Sequence, residues 1–247
     1  MKKLALKKAA LFTLLFSICT LQSQKLSKNK KALLKSIENH QNALIQISDN
    51  IWAAAETAFE ETESSKILSN YAEQQGFTVE RGVAEMPTAF VATYGSGKPV
   101  ISVLGEFDAL PGISQKAKPT KDPLVEKGNG HGCGHNLFGA GSLGAAVAIK
   151  ELIESGKIKG TVKFFGTPSE EKFFGKIWMV NAGLWNDVDV NISWHPAPIT
   201  EADVQSSLAL VDFKVEFFGQ AAHAAADPWN GRSASDALEL YLSLIHI

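Results

Sequence analysis

Short apolar runs at residues 100–105, 161–166 and 188–194 alternate with a helical stretch at 137–155 that is crowded with glycine and alanine. Nothing else in the chain constrains its fold as much as this strand–helix alternation. Parallel strands need a crossover long enough to hold a helix, and a helix of small residues can lie close on a sheet. The reading is an α/β fold with a mixed, largely parallel sheet, helices on both faces and its strands buried. Residues 88–94 add a strand, and Gly95-Ser96-Gly97-Lys98 marks a turn. Upstream, Leu33, Leu34, Ile37, Leu44, Ile47, Ile51 and Trp52 recur at helical spacing. Residues 62–75 make a second helix, which Gly76 stops.

The 247 residues are 45% hydrophobic and 20% charged, enough apolar material for a full core. A net charge of -2 gives no electrostatic case for nucleic acid or an anionic membrane as partner. Lys2, Lys3, Lys7 and Lys8 precede an apolar run from Ala9 to Leu21 that is short for a membrane span. Residues 1–23 therefore read as a signal peptide, and the protein as exported, periplasmic or secreted. Lipidation at Cys19 and retention of the segment as an anchor stay open. If Cys19 leaves with the signal, Cys133 is the lone thiol, and an exported lone thiol calls for something that holds it, such as a metal.

Residues 24–204 read as one domain and 205–241 as the start of a second α/β unit. In the second unit Leu208, Leu210, Val211, Phe213, Val215 and Phe217 form a mostly alternating strand, and a helix follows over 233–241. The last six residues, 242–247, match a translated adapter of sequencing libraries, and are taken as an artificial tail on a truncated reading frame. The long polar segment 114–129 is a loop of the length that functional loops have.

The chemistry concentrates in a few segments. In Gly130-His131-Gly132-Cys133-Gly134-His135-Asn136 the glycines let the chain turn so that Cys133 and His135 converge on one ion. Thiolate and imidazole favour zinc, with manganese, cobalt or nickel as alternatives. On spacing alone, an inert buried cysteine beside a structural histidine fits equally well. Glu170 and Glu171 follow an apolar strand and the sharp exit Gly166-Thr167-Pro168-Ser169. Adjacent extended residues point oppositely, so one carboxylate can face a metal and the other a water. Two solvated surface glutamates are the plain alternative. His195 ends another strand, and His223 sits among alanines of the second unit. A core hydrogen bond and a packing role, respectively, are the plain readings of these two.

Taken together, Gly105-Glu106-Phe107-Asp108-Ala109-Leu110-Pro111-Gly112, the H-G-C-G-H-N run, Thr167-Pro168-Ser169-Glu170-Glu171, His195-Pro196 and Ala222-His223-Ala224-Ala225 resemble, in order, the motifs of the di-metal aminoacylase/carboxypeptidase family (peptidase clan MH). The resemblance is strongest to the branch of the p-aminobenzoyl-glutamate hydrolase B subunit. It implies a zinc-exopeptidase-like catalytic domain, joined to the start of a smaller ferredoxin-like lid and dimerisation domain. It implies two divalent metal ions, zinc or manganese, with Cys133, His135, Glu171 and His195 as ligands and the thiolate bridging. Glu170 would be the general base toward a metal-activated water, Asp108 would orient the ligands, and His223 would reach substrate, in many members across a homodimer interface. The implied substrates are N-acyl amino acids, aminobenzoyl-glutamate-like amides or small peptides. This branch carries Glu106 where other branches have a metal-binding histidine. A further family histidine would follow the lid domain, beyond residue 247. Two other readings stand beside this one. One is a non-catalytic metal-binding or dimerisation subunit or inactive fragment, and the other is a thiol enzyme with Cys133 as nucleophile.

Overall fold

The computed structural model describes residues 25–202, 206 and 208–245. The expected signal peptide, with Cys19, lies outside them. The chain divides into two compact units, one up to Pro198 and one from Ile199 onward.

In the first unit, helix α1 (Lys28–Ala54) starts at Ser27, whose hydroxyl accepts the Lys30 amide at 3.2 Å. Helix α2 (Thr62–Gln74) follows, then strands β1 (Thr78–Arg81), β2 (Phe90–Ser96) and β3 (Val100–Glu106). Helix α3 (His135–Glu154) crosses to β4 (Gly160–Thr167). The short helices α4 (Glu170–Phe173) and α5 (Gly175–Asn181) lead to β5 (Val190–Ile192). The strands form one mixed sheet in the order β1-β2-β4-β3-β5. β3 runs parallel to β4 and β5, whereas β2 is antiparallel to both β1 and β4. Parallel pairing is thus confined to the strands around the α3 crossover, and the expectation of a largely parallel sheet is corrected to an even mixture. The turn Gly95–Lys98 is the reason, because so short a link from β2 to β3 cannot make a crossover.

Alternation along each strand divides the core. Phe90, Val103, Val162 and Phe164 face Ile51 of α1, Leu68 of α2 and Leu143 of α3. Val91, Leu104 and Phe165 face Met179 of α5 on the other side. Helices therefore cover both faces, as expected. The small residues of α3 allow its close approach. A Cβ at Gly139 would lie 3.0 Å from the Glu106 carbonyl, and one at Gly144 would lie 2.7 Å from Leu44. β5 was expected to be buried, yet all three of its residues are exposed. It pairs on one side with β3, and the described residues place no further strand on its other side.

In the second unit, Gln220 bridges Arg232, and helix α6 (Ala234–Ile245) follows. The strand expected over residues 208–217 is not formed. Leu208 is 94% exposed and Phe213 68% exposed, and no described strand lies beside them to take up their backbone hydrogen bonds.

Candidate metal centre

The C-terminal ends of β3, β4 and β5 deliver the polar residues to one place, as parallel strands of α/β sheets commonly do. β3 ends on Glu106, with Asp108 two residues on, so both carboxylates leave the strand on the same side. Gly134 precedes α3 with φ of 79°, and the Pro196 side chain packs at 3.0 Å from where its Cβ would be. A glycine is needed there on both counts. The turn sets Cys133 just ahead of the helix and makes His135 its first residue.

His135 is 1% exposed and is gripped from two directions. Its Nδ1 lies 2.9 Å from Asp108 Oδ1 and 3.1 Å from the Asp108 carbonyl. These acceptors fix Nδ1 as the donor and turn Nε2 into the cluster. Asp108 Oδ2 accepts the Glu171 amide at 2.9 Å, so a single carboxylate sets both the ring and the Glu171 backbone. On the outer side, Cys133 Sγ stands 3.4 Å from His195 Nε2. His195 Nδ1 faces the Pro196 carbonyl at 2.9 Å, and Phe138 packs edge-on against both His135 and His195.

His135 Nε2 lies 2.9 Å from Glu106 Oε2, close enough for an ion pair but out of line for a hydrogen bond, and 3.9 Å from Glu171 Oε1. All three atoms are buried without a hydrogen-bond partner. Buried polar atoms are seldom left unpaired, and three converging carboxylate and imidazole atoms suit a cation. Ligand-capable atoms of Cys133, His135 and His195 lie within 4.8 Å of one another, as do those of Glu106, His135 and Glu170. His135 belongs to both groups. The donor set therefore fits divalent metal.

The electrostatics of the metal-free protein point the same way. Burial disfavours the His135 cation, but the hydrogen bond to Asp108 and the close carboxylate charges of Asp108 and Glu106 outweigh it and raise the ring to about 10. The Cys133 thiol is pushed up to about 12 by burial and by the facing Glu171, Glu170 and Glu106. Glu170 is also raised, by burial and then by Glu106, with Lys176 acting in opposition. Burial opposes ionisation of Glu106 as well, but His135 and Lys176 together hold it below the ordinary carboxylate range.

Of the residues singled out in the sequence, Cys133, His135, His195, Glu170, Glu171 and Asp108 come together. His223 lies in the second unit, where its Nδ1 accepts the amides of Ala225 and Ala226 at 3.2 and 3.1 Å. Sequence reasoning noted Glu106 at the position of a metal-binding histidine in other branches but gave it no role in the site, although a carboxylate closing an unbroken apolar strand was a signal for one. It also missed Lys176 of α5, whose ammonium contacts Glu106, and no sequence spacing announces that contact. His131 bonds the Ile51 carbonyl through Nε2 at 3.0 Å.

A mixed sheet with thiol, imidazole and carboxylates at its central strand ends defines an α/β protein of the metallopeptidase kind. The profile of peptidase family M20/M25/M40 matches residues 103–241, and the chain belongs to that family. It is 45% identical over 206 residues to the p-aminobenzoyl-glutamate hydrolase B subunit of Escherichia coli (strain K12), covering 83% of this chain and 43% of that protein. It is 31% identical over 223 residues to Xaa-Arg dipeptidase of Mus musculus, covering 85% and 48%. The chain thus spans about half the length of these relatives. Among solved structures, a dinuclear metal-binding M20 peptidase from Bacillus subtilis superposes with a TM-score of 0.57 at 27% identity, covering 65% of this chain and 44% of that one. The aminobenzoyl-glutamate utilization protein of Klebsiella pneumoniae shares the fold, with a TM-score of 0.54 at 17% identity, covering 84% and 57%.

Proposed function

We propose that the protein carrying this chain hydrolyses the amide bond of N-acyl amino acids, aminobenzoyl-glutamate-like amides or small peptides at a two-metal centre. The observation that carries the reading is the convergence of Glu106 Oε2, His135 Nε2 and Glu171 Oε1 as buried atoms without hydrogen-bond partners. Cys133, His135, Glu171 and His195 would hold the ions. Thiolate and imidazole suit zinc, and manganese is the alternative. Bound divalent cations supply Lewis-acid polarisation and local positive charge.

The protein's own groups divide the remaining work. Glu170 sits beside the cluster with its carboxyl raised by burial and by Glu106, which suits it to take a proton from an attacking water. It then returns that proton to the leaving amine. Asp108 keeps the His135 ring and the Glu171 backbone in register. His223, from a lid-like unit expected over residues 205–241, would donate to the developing oxyanion. Its Nδ1 is occupied as an acceptor, which leaves the proton on Nε2 for that purpose.

The names of the relatives support the substrate range. One belongs to a p-aminobenzoyl-glutamate hydrolase, another is a dipeptidase and a third an N-acetyl-L-cysteine deacetylase of Bacillus subtilis (strain 168). We place the protein outside the cytoplasm, on the strength of the basic and apolar start of the chain. Homodimeric assembly through the second unit is our first choice. The first relative is named as one of two kinds of chain in its enzyme. This chain is also 34% identical over 160 residues to the other kind, the A subunit of the same hydrolase, which favours a two-chain complex as the alternative. A thiol nucleophile at Cys133 is disfavoured by a thiol held near 12.

The deciding experiment is an amidase assay on the complete gene product, before and after chelation, with Glu170→Gln alongside. The proposal expects activity that chelation abolishes and metal restores. It also expects a variant that keeps its metal but loses at least ~100-fold in rate. Full turnover by Glu170→Gln would remove Glu170 from the role. Inactivation by thiol alkylation but not by chelation would move the chemistry to Cys133.

A further inference from the structure

Glu61 is completely buried at the start of α2, where a side chain would ordinarily cap its own helix, yet it makes no capping bond. Glu56 does that work. Its carboxylate accepts the Glu63 amide at 3.0 Å and the Ser64 amide at 2.9 Å. Glu61 is thereby released to point across the unit. One oxygen accepts the Ser169 amide at 2.8 Å and the other the Thr88 hydroxyl at 3.0 Å. No lysine or arginine among the described residues pairs with it. A buried carboxylate without a cation is costly, so what it holds matters.

What it holds is the residue directly ahead of Glu170 and Glu171. Ser169 has φ 56° and ψ 43°, a left-handed backbone that a serine keeps only when its surroundings dictate it. Its carbonyl and hydroxyl both take the Phe173 amide, at 3.2 and 3.3 Å. Its carbonyl also faces the Gly175 amide at 3.3 Å. Two residues later, Asp108 holds the Glu171 amide. Glu170 therefore stands between two backbone amides clamped from opposite sides, by Glu61 and by Asp108.

We infer that Glu61 is a positioning residue for the reaction, fixing the turn at Ser169 that aims Glu170 and Glu171 into the metal cluster. This rests on the roles given above to those two glutamates. The requirement is for an acceptor at the right reach rather than for charge. Glu61→Gln keeps an oxygen for the Ser169 amide and offers its NH2 to the Thr88 hydroxyl, which then accepts. Glu61→Asp keeps the charge but is one methylene short, and Glu61→Leu has no acceptor.

The test compares these three variants in the metal-loaded complete gene product, by steady-state kinetics and by hydrogen exchange of the peptide spanning residues 167–173. Glu61→Gln is expected to retain kcat within ~3-fold, while Glu61→Asp and Glu61→Leu lose ~10- to 100-fold in kcat with KM within ~2-fold, on the scale of misplaced catalytic groups. Exchange of 167–173 in the last two should quicken ~10-fold while residues 100–106 stay unchanged. If Glu61→Leu does not fold, the order of the other two decides. An aspartate variant as active and as protected as the glutamine variant overturns the inference, as does unaltered exchange in Glu61→Leu. An inactive wild-type protein overturns the hydrolase reading instead, and the exchange measurement then settles Glu61 on its own.

Discussion

Asp108 Oδ1 lies 2.9 Å from His135 Nδ1, while the other oxygen of the same carboxylate receives the Glu171 amide at 2.9 Å. Asparagine fits the space but can satisfy only one of these donors, since its second polar atom is itself a donor. Asp108→Asn is expected to weaken divalent-metal binding ~10- to 100-fold, the usual cost of losing an orienting partner behind a ligand. Competition against a chromophoric chelator measures it, and unchanged affinity would show that ring and loop hold themselves.

Metal uptake should release protons. In the metal-free protein His135 titrates near 10 and Cys133 near 12, so both are protonated at pH 7. Each must lose its proton to bind a cation. Apparent affinity is therefore expected to rise with pH up to about 10, by as much as ~100-fold per unit if both ligands are used, with about two protons liberated per protein. Calorimetric titration in buffers of different ionisation enthalpy counts them. An affinity independent of pH between 7 and 9 would exclude these two residues as ligands.

Lys176 contacts Glu106 and helps keep that buried carboxylate ionised. In Lys176→Met the charge loses its ammonium partner. Breaking a buried pair is severe, but this lysine side chain is 33% exposed and solvent moderates the loss. We expect ~1–2 kcal/mol of destabilisation without metal, and less once metal is bound, because a cation restores a counter-charge near Glu106. Thermal unfolding with and without saturating Mn2+ checks this, and an equal loss in both conditions would place Glu106 outside the ions' influence.

Burial raises the Glu61 carboxyl from 4.5 to about 7, the nearby Asp108 charge adds to the rise, and hydrogen bonds such as that from Thr88 reduce it. A raised acid binds more protons folded than unfolded. Its contribution is fully present below 4.5 and is lost as pH climbs through about 7. Wild-type stability should therefore fall relative to Glu61→Gln across that window, by an amount on the order of 3 kcal/mol. Urea unfolding of the two proteins at pH 4.5, 6 and 8 reads it, and parallel curves would refute the shift.

Much of this arrangement was legible in the chain. Strands β3 and β4, helix α3 and the Gly76 stop follow from apolar runs and turn residues, which are local signals. The gathering of Cys133, His135, Glu170 and Glu171 near strand ends was legible for the same reason. What failed was decided by neighbours. Residues 208–217 alternate as a strand should, but a strand exists only when paired. Val190 and Ile192 look like core residues and yet are 51% exposed, since apolar character does not say which edge a strand occupies. Glu61 stands in the acidic run Glu60-Glu61-Thr62-Glu63, which reads as a solvated helix start. Its burial is set by Thr88 and Ser169, far away in sequence.

Helix α3 begins on His135 and lies buried on the sheet for most of its length. An ion bound to that imidazole would be bolted to a long, largely buried helix rather than to a loop. A spectroscopic signal from Co2+ at the ring should therefore vanish at the same temperature as the far-ultraviolet helix signal. In effect the ion would serve as a thermometer for the whole unit.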